Sequence, residues 1–470
     1  MNQENKFNNN IKINKEYKVI VNSYTHDGNG ICKILDEETS FLLFVPGIIK
    51  GEEAVVKVNS TRKNYGTAKI TKLLLKKSSP KRVTPVCPLF LNCGGCQLMH
   101  MNYEAQLEFK ENTLKDTLEK IGGLENLPLN KIVGASSPHF YRNKVQVPFQ
   151  YQKGKTVCGF YQNSSHAVIP FDNCFIQSKE MSDIVKFIRN LCNEFKIKGY
   201  DENTKSGDIR HALIKESKAT NEIMVVLVTT KKEILNLNEL VKKLTSRFSN
   251  IVSVIQNINS SDTNTILGEE QRVLYGKSTI NDILRGLKFA IGAKSFYQVN
   301  HDQTEKMYEK VIELGSFNKN DIVIDAYCGI GTITLNVAPN VAKVYGIEIV
   351  NEAIENANLN KELNAITNAE FILGKSEEKI KELLLKGINP NALIVDPPRK
   401  GLDRALLDTL IETKIRRIVY VSCDPATLAR DLRVLTNNGY FIQSITPFDM
   451  FPQTNHVETI TLLCLKEPKK

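Results

Sequence analysis

The sequence predicts an α/β protein in three parts: a small β-barrel at the amino end, a mixed α+β centre and a doubly wound α/β domain at the carboxyl end. Three observations carry this. Short alternating runs fill residues 12–75, with Asp27-Gly-Asn-Gly30, Pro46-Gly47 and Gly51 as turns between them, the pattern of a small barrel. Residues 76–285 mix a cysteine-rich loop, helical stretches and short strands. From 286 to 470 strand-like and helix-like runs alternate, which implies right-handed crossovers and a largely parallel sheet.

The elements follow in order. Barrel strands are expected at Tyr17–Val21, Phe41–Val45, Ala54–Val58 and Gly66–Leu73. Arg62, Lys63, Lys69 and Lys72 fall in the last third of this region with Tyr65 among them, a mixture suited to backbone tracking and base stacking. Ser78-Ser-Pro-Lys-Arg82 reads as a linker. Apolar residues at Leu98, Met101, Ala105, Leu107, Leu114, Leu118 and Ile121 predict a helix over 97–121, stopped by Gly122-Gly123. This helix is expected to pack on the catalytic domain. Two further helices are expected at Ser182–Phe195 and Leu235–Phe248. In the last domain the strands are expected at Ile322–Ala326, Lys343–Ile347, Glu370–Leu373, Ala392–Val395, Arg417–Ser422 and Glu458–Leu465. Helices fall between them at Glu352–Asn364, Ser376–Leu385, Arg404–Thr413 and Ala426–Leu435.

Bulk properties narrow the classes. A 470-residue chain can hold two to four domains. Its 41% hydrophobic and 24% charged residues are those of a soluble globular protein. Met1–Asn10 is polar and has no apolar core, so an export signal is not expected there. No run of eighteen apolar residues occurs, so no membrane partner is expected. Ten cysteines without an export signal point to a reducing, cytoplasmic setting, where clustered thiols serve as metal ligands or nucleophiles. Residues 1–86 carry 15 Lys/Arg against 8 Asp/Glu, so +7 of the net +10 lies in this region. A basic terminal module suits a polyanion, although a solvated lysine-rich surface would look the same.

Asp325-Ala-Tyr-Cys-Gly329-Ile-Gly331-Thr follows a strand and opens a helix. Its glycines let the backbone approach a ligand at a helix N-terminus. Residue 334 is Thr, so the third glycine of a pyrophosphate fingerprint is missing. Glu348 ends the next strand 23 residues after Asp325, where an acidic group accepts from ribose hydroxyls. The pair resembles the S-adenosylmethionine site of class I methyltransferases. Asp396-Pro-Pro-Arg399 ends a later strand, its backbone stiffened by two fixed φ angles. It also resembles the motif of amino-methyltransferases, a rival reading that needs no thiol. As a bland alternative, Asp396 would simply cap a helix.

Val419-Tyr-Val-Ser-Cys423-Asp-Pro carries a thiol to the end of a β-branched run, and Asp-Pro breaks the strand. Glu458 opens another apolar run 35 residues on. Carbon 5 of uracil is a poor nucleophile until a thiolate adds at carbon 6. A base must then remove the proton at carbon 5. Cys423 is the candidate thiol and Glu458 the candidate base. A free thiol has a pKa of about 8.5, so the helix N-terminus after Cys423 is expected to favour thiolate. A lone strand-end cysteine is more often a small buried residue. Cys328 is a competitor in the glycine turn, Cys158 and Cys192 have weaker claims, and Cys464 reads as core.

The motifs together are highly specific. Ser422-Cys-Asp-Pro-Ala-Thr-Leu-Ala-Arg430-Asp, Pro447-Phe-Asp-Met-Phe-Pro-Gln-Thr-Asn-His-Val-Glu458, Asp396-Pro-Pro-Arg-Lys-Gly401 and Ser295-Phe-Tyr-Gln298-Val-Asn300 resemble the RNA (uracil-5-)-methyltransferase family. The likeness covers nearly the whole chain. Asp27-Gly-Asn-Gly-Ile31, Phe44-Val-Pro-Gly47 and Gly51-Glu resemble a TRAM domain. The resemblance implies a TRAM/OB-like RNA-binding barrel over 12–75, a central domain over 76–285 and a Rossmann-like methyltransferase domain over 286–470. It implies Cys423 as nucleophile, Glu458 as base and S-adenosylmethionine contacts from Gln298, Tyr327, Glu348 and Asp396. Nothing in the residues alone singles out Gln298 or Tyr327. The expected substrate is 23S ribosomal RNA, with tRNA as the alternative, and the expected state a monomer. Base flipping is expected, because the target must leave its stack to meet the thiol.

Cys87-x5-Cys93-x2-Cys96 supplies three closely spaced thiols. Cys174, in Phe171-Asp-Asn-Cys174, is the candidate fourth ligand and Cys158 the alternative. Spacing does not separate zinc from an iron–sulfur cluster. The family resemblance implies [4Fe–4S]. A metal-bearing RNA-binding protein with a vestigial cofactor fold is the non-enzyme rival, and it predicts no S-adenosylmethionine binding.

Overall fold

A computed structural model describes residues 11–37, 39–74, 78–163, 165–263 and 265–466. Met1–Asn10, where no export signal was expected, lies outside the described residues. The chain forms two compact units: residues 1–109, 161–167 and 453–455 make one, and 110–160, 168–452 and 456–470 the other.

The first unit contains the barrel. Its strands are β1 (Glu16–Tyr24), β2 (Gly30–Ile34), β3 (Leu42–Val45), β4 (Glu53–Thr61) and β5 (Tyr65–Leu73), closed in the order β1-β2-β3-β5-β4. Alternate residues (Val19, Val21, Leu43, Val45, Val56, Val58) fill the interior, and closure leaves no open sheet edge. The short strand β2 was not foreseen, because its five residues follow the Gly-rich turn directly. A Cβ on Gly30 would lie 2.5 Å from the Ile48 side chain, so glycine is required there.

Helix α1 (Tyr103–Lys120) begins later than its apolar pattern suggested. The Asn102 side chain caps it by accepting from the Ala105 amide at 2.9 Å. Leu98 and Met101 are buried, but in the loop before it.

In the second unit, β6 (Lys144–Gln152), β7 (Lys155–Tyr161), β8 (Val168–Pro170), α2 (Lys179–Glu194), β9 (Ile209–Glu216), β10 (Ile223–Thr229), α3 (Leu237–Arg247), β11 (Ile251–Ile258) and β12 (Glu270–Gly276) follow. Their strands make a seven-stranded sheet ordered β12-β11-β10-β9-β6-β7-β8. A hairpin of β13 (Thr279–Leu284) and β14 (Leu287–Gly292) comes next.

The last region has α4 (His301–Gly315), β15 (Ile322–Ala326), α5 (Thr332–Val337), β16 (Lys343–Glu348), α6 (Asn351–Leu363), β17 (Ala369–Leu373), α7 (Ser376–Leu385), β18 (Ala392–Val395), α8 (Arg404–Thr413), β19 (Arg417–Ser422), α9 (Pro425–Asn437), β20 (Tyr440–Phe448) and β21 (Glu458–Leu465). The sheet order is β17-β16-β15-β18-β19-β21-β20. β15 to β19 are parallel, and β20 and β21 close the sheet antiparallel. Strand order reverses between β15 and β18, the point where open α/β sheets bind ligands.

Both faces of this sheet are buried, as parallel sheets require. Val323, Ile394, Val419 and Ile460 face one core, and Ile324, Leu393, Ile418 and Leu463 the other. Leu114 and Leu118 of α1 belong to the second core. β20 was not foreseen, because Gln443, Ser444, Thr446 and Pro447 break its apolar pattern. α4 was missed as well. It buries polar residues (His301, Gln303, Thr304) where an apolar stripe was sought. Among the described residues no helix is long and apolar enough to cross a membrane.

The second half of α1 makes a fully buried ion pair. Lys110 Nζ donates to Asp449 Oδ1 at 2.5 Å and to the Phe451 carbonyl at 3.0 Å. Both side chains are 0% exposed. Breaking such a pair strands a charge. Lys110→Ala is therefore expected to cost about 3–5 kcal/mol in urea unfolding. Lys110→Met with Asp449→Leu should recover most of that loss, and a single variant near wild-type stability would refute the assignment.

Candidate active site

Five strands deliver candidate residues to one edge of the sheet. Tyr327 directly follows β15, Glu348 ends β16, Asp396 follows β18, Cys423 follows β19, and Glu458 begins the antiparallel β21. Together with Gln298 they line one cavity of about 850 Å³. All six sequence-predicted residues are thus in one place.

The pairing register brings the thiol and the base together. Ser422 of β19 pairs with Thr459 of β21, so Cys423 leaves its strand at the same end of the ladder at which Glu458 enters. Asp424 breaks the strand and caps α9, accepting from the Ala426 and Thr427 amides at 2.9 Å each. Pro425 takes the first helical position, where its missing N–H costs nothing.

The glycine turn is built for close approach. Tyr327, Gly329 and Gly331 all have positive φ (65°, 55° and 81°). A Cβ on Gly331 would lie 2.6 Å from the Phe371 ring. The Glu348 carboxylate accepts from the Gly329 amide at 3.1 Å and from those of Ile349 and Val350 at 2.8 and 3.0 Å. It thus ties the β16 terminus to the turn after β15. Asp325 Oδ2 accepts from Thr334 Oγ1 at 2.5 Å, whereas its buried Oδ1 has no partner.

Gln298 is held from the central sheet. Asn143 Nδ2 donates to its carbonyl at 3.1 Å. Buried Lys215 donates to the carbonyls of Gly292 and Ser295 at 2.6 and 2.7 Å, which fixes the turn before it. Burial pulls the Lys215 ammonium down to about 7. Tyr297 is pinned through its hydroxyl to Asp282 at 3.0 Å.

Desolvation dominates the electrostatics. Burial raises Asp325 and Asp396 to about 7 each. Burial, and then the Asp396 charge, raises Glu458 to about 8, with Arg399 opposing. Cys423 is pushed up to about 12 by burial and then by Glu458 and Asp396. The expectation that the α9 N-terminus favours thiolate is therefore corrected. Asp424 already occupies the first amides of that helix, and the carboxylates beside the thiol outweigh Arg399.

Sequence reasoning passed over several lining residues. Arg399 is the guanidinium of the cavity, and Phe296 and His456 also line it. Arg399 stood within a quoted motif, but nothing local marked it. Cys328 lines the cavity too, its thiol held well above the ordinary range by burial. Cys158 and Cys192 are buried away from that lining.

Cys87, Cys93 and Cys96 lie in the loop before α1, in the first unit, and Cys174 lies between β8 and α2, in the second. Burial raises the Cys93 thiol, and the nearby Cys87 adds to this. Among the described residues no group of three or more His, Cys, Asp or Glu is arranged to hold a metal ion.

A doubly wound sheet with a glycine turn and buried carboxylates at its switch point defines a nucleotide-handling α/β enzyme. Residues 102–466 match the model of the tRNA (uracil-5-)-methyltransferase family, and residues 12–71 match the TRAM domain. The chain belongs to the tRNA (uracil-5-)-methyltransferase family and is an RNA methyltransferase. It is 43% identical over 455 residues to an RNA methyltransferase of Clostridium acetobutylicum, covering 96% of this chain and 98% of the relative. An RNA methyltransferase of Clostridium tetani is 44% identical over 460 residues, covering 98% of each chain. The crystal structure of the Pyrococcus abyssi tRNA (uracil-54, C5)-methyltransferase with S-adenosyl-L-homocysteine is similar, with a TM-score of 0.76 and 29% identity. That likeness covers 95% of this chain and 99% of that one.

The raised carboxyls predict a pH effect on stability. The folded state holds the Glu458 proton to about 8, against an ordinary value of 4.5. Stability from this group is full below 4.5 and is lost as pH rises toward 8. Glu458→Gln should match wild type near pH 4 and gain on it up to pH 8, by at most about 1.4 kcal/mol per pH unit. Denaturant unfolding across that range checks this, and a pH-independent difference would contradict it.

Proposed function

We propose that this enzyme transfers a methyl group from S-adenosylmethionine to carbon 5 of uridine in RNA through a covalent adduct on Cys423. The observation that carries the proposal is that Cys423 and Glu458, at the same end of the β19–β21 ladder, line one cavity of about 850 Å³. The cavity suits this donor. Its glycine turn admits close approach, and three buried carboxyls, one with an orphaned oxygen, favour a cation. The donor supplies an electrophilic methyl carbon and leaves as a neutral thioether. Gln298, Tyr327, Glu348 and Asp396 are the residues we assign to hold it.

The chain's own part is as follows. The Cys423 thiolate bonds to carbon 6, and the carbon 5–carbon 6 π pair shifts toward the ring carbonyl as an enolate. Carbon 5 then takes the methyl group. Glu458 removes the remaining proton from carbon 5, the double bond reforms and the thiolate leaves. Base flipping into the cavity precedes this, at a cost of a few kcal/mol. The basic barrel and the central domain grip flanking phosphates, so binding weakens with salt.

For the substrate we propose 23S ribosomal RNA, on the strength of the TRAM-type barrel and the cysteine pattern. The Pyrococcus abyssi tRNA enzyme favours tRNA as the second reading. The [4Fe–4S] cluster on Cys87, Cys93, Cys96 and Cys174, with zinc as its alternative, rests on sequence spacing alone. Methyl transfer moves no electron, so no step runs through it. The three-domain division, a cytoplasmic setting and a monomeric state belong to the same proposal.

The test uses methyl-labelled S-adenosylmethionine and 5-fluorouridine-substituted ribosomal or transfer RNA, followed by a denaturing gel. Fluorine at carbon 5 cannot leave as a proton, so wild type should give a labelled protein–RNA band and Cys423→Ala none. Glu458→Gln should build the same band on ordinary RNA. Wild type that methylates ordinary RNA yet traps nothing would leave the amino-methyltransferase reading of Asp396-Pro-Pro-Arg399.

A further inference from the structure

The loop 397–402 leaves the sheet after β18 and carries Arg399 into the cavity lining. No strand pairs with it, so its backbone groups need other partners. Helix α9, which starts just after Cys423, supplies them. Asp431 is 0% exposed. Its Oδ2 accepts from the Leu402 amide at 2.8 Å and from the Tyr420 hydroxyl at 2.8 Å, and its Oδ1 accepts from Arg430 Nε at 2.8 Å. Arg430 Nη2 donates to the carbonyls of Lys400 and Leu402 at 2.9 and 3.3 Å. One turn earlier, Thr427 Oγ1 donates to the Arg399 carbonyl at 3.2 Å. Gly401 has φ +75°, and a Cβ there would lie 2.6 Å from both Arg430 Nη2 and Asp431 Oδ2. The glycine lets the loop close onto the pair.

We infer that Asp431 and Arg430 are positioning residues: they clamp loop 397–402 to α9 and so hold Arg399 at a fixed place beside Cys423. Tyr420 of β19 anchors the clamp to the strand that ends at the nucleophile, so thiol and guanidinium share one rigid support. Asp396 is less dependent on the clamp, because Val395 pairs with both neighbouring strands. Loss of the clamp should therefore slow chemistry and leave donor affinity in place.

This inference rests on the uridine reaction proposed above. Single-turnover methylation at saturating S-adenosylmethionine is measured beside donor affinity by calorimetry and folded fraction by thermal melting. Asp431→Asn should lower the rate by about 100-fold, the cost of an ångström-scale misplacement, with donor affinity held. Arg430→Lys, at a half-exposed position, keeps the charge and loses the fork. It should fall between Asp431→Asn and wild type, and it serves if the buried variant folds poorly. Gly401→Ala should reproduce the defect. In an Arg399→Ala background, Asp431→Asn should cost little more, because both act through one group. A wild-type rate in Asp431→Asn and Arg430→Lys, a loss that only tracks the folded fraction, or full additivity with Arg399→Ala would overturn the clamp. Failure of wild type to trap 5-fluorouridine would instead overturn the reaction and leave the clamp to be judged on the rates.

Discussion

The structure is organised around the burial of three carboxyls at one sheet edge. Asp325, Asp396 and Glu458 face the same cavity from three different strands. Each is held protonated well beyond its ordinary range by loss of water. Perturbed carboxyls of this kind cluster at functional sites, and a ligand that brings positive charge would offset their burial. The surrounding features limit the cost. Thr334 holds one oxygen of Asp325, and Arg399 opposes the upward shift of Glu458. Lys110 neutralises Asp449 nine residues before Glu458. Positive charge is what a sulfonium donor carries and its thioether product lacks.

Rigid support explains how groups so far apart in sequence meet. Parallel strands end at one edge, so each residue just past a strand is delivered to the same place whatever its position in the chain. The antiparallel β21 brings its first residue to that edge from the opposite direction. The connections then need fixing. The glycine turn is tied by Glu348, the approach to Gln298 by Lys215 and Asn143, and the loop after Asp396 by Arg430 and Asp431. Each tie is a polar side chain that satisfies backbone groups outside the strand and helix ladders.

Much of this was legible in the sequence. Largely apolar, β-branched runs give Ile322–Ala326, Ala392–Val395, Arg417–Ser422 and Glu458–Leu465 to the residue, as expected of strands buried on both faces. The strand-end positions of Cys423 and Glu458 were readable because Asp-Pro breaks the run after one and an apolar run opens at the other. The rest was hidden for physical reasons. β20 carries polar residues on a partly covered edge strand, and α4 buries polar side chains that hold neighbouring loops. Arg399 and Phe296 matter through where the fold places them. Gln298 and Tyr327 came only through family resemblance, since a Phe-Tyr-Gln run has no local signature. The thiol's electrostatics were misread because Asp424, which marks the strand end so clearly, is also the residue that takes the helix N-terminus away from Cys423.

That misreading bears on how the reaction is ordered. With burial pushing its thiol up to about 12, Cys423 favours the protonated form near neutral pH. The groups responsible, besides burial, are Glu458 and Asp396, and only Arg399 counters them. In the reaction proposed above, a cationic donor seated beside the thiol would favour the thiolate directly. Activation of the nucleophile would then follow binding of the donor. In the resting enzyme the thiol would stay protonated and slow to oxidise, since the thiolate is the reactive form. The Glu458 carboxyl, whose ionised form the same cation would favour, is the base we assign to the step after methyl transfer, when the cation has become a neutral thioether. Both proposed steps thus depend on a single change of charge in the cavity that Cys423 and Glu458 share.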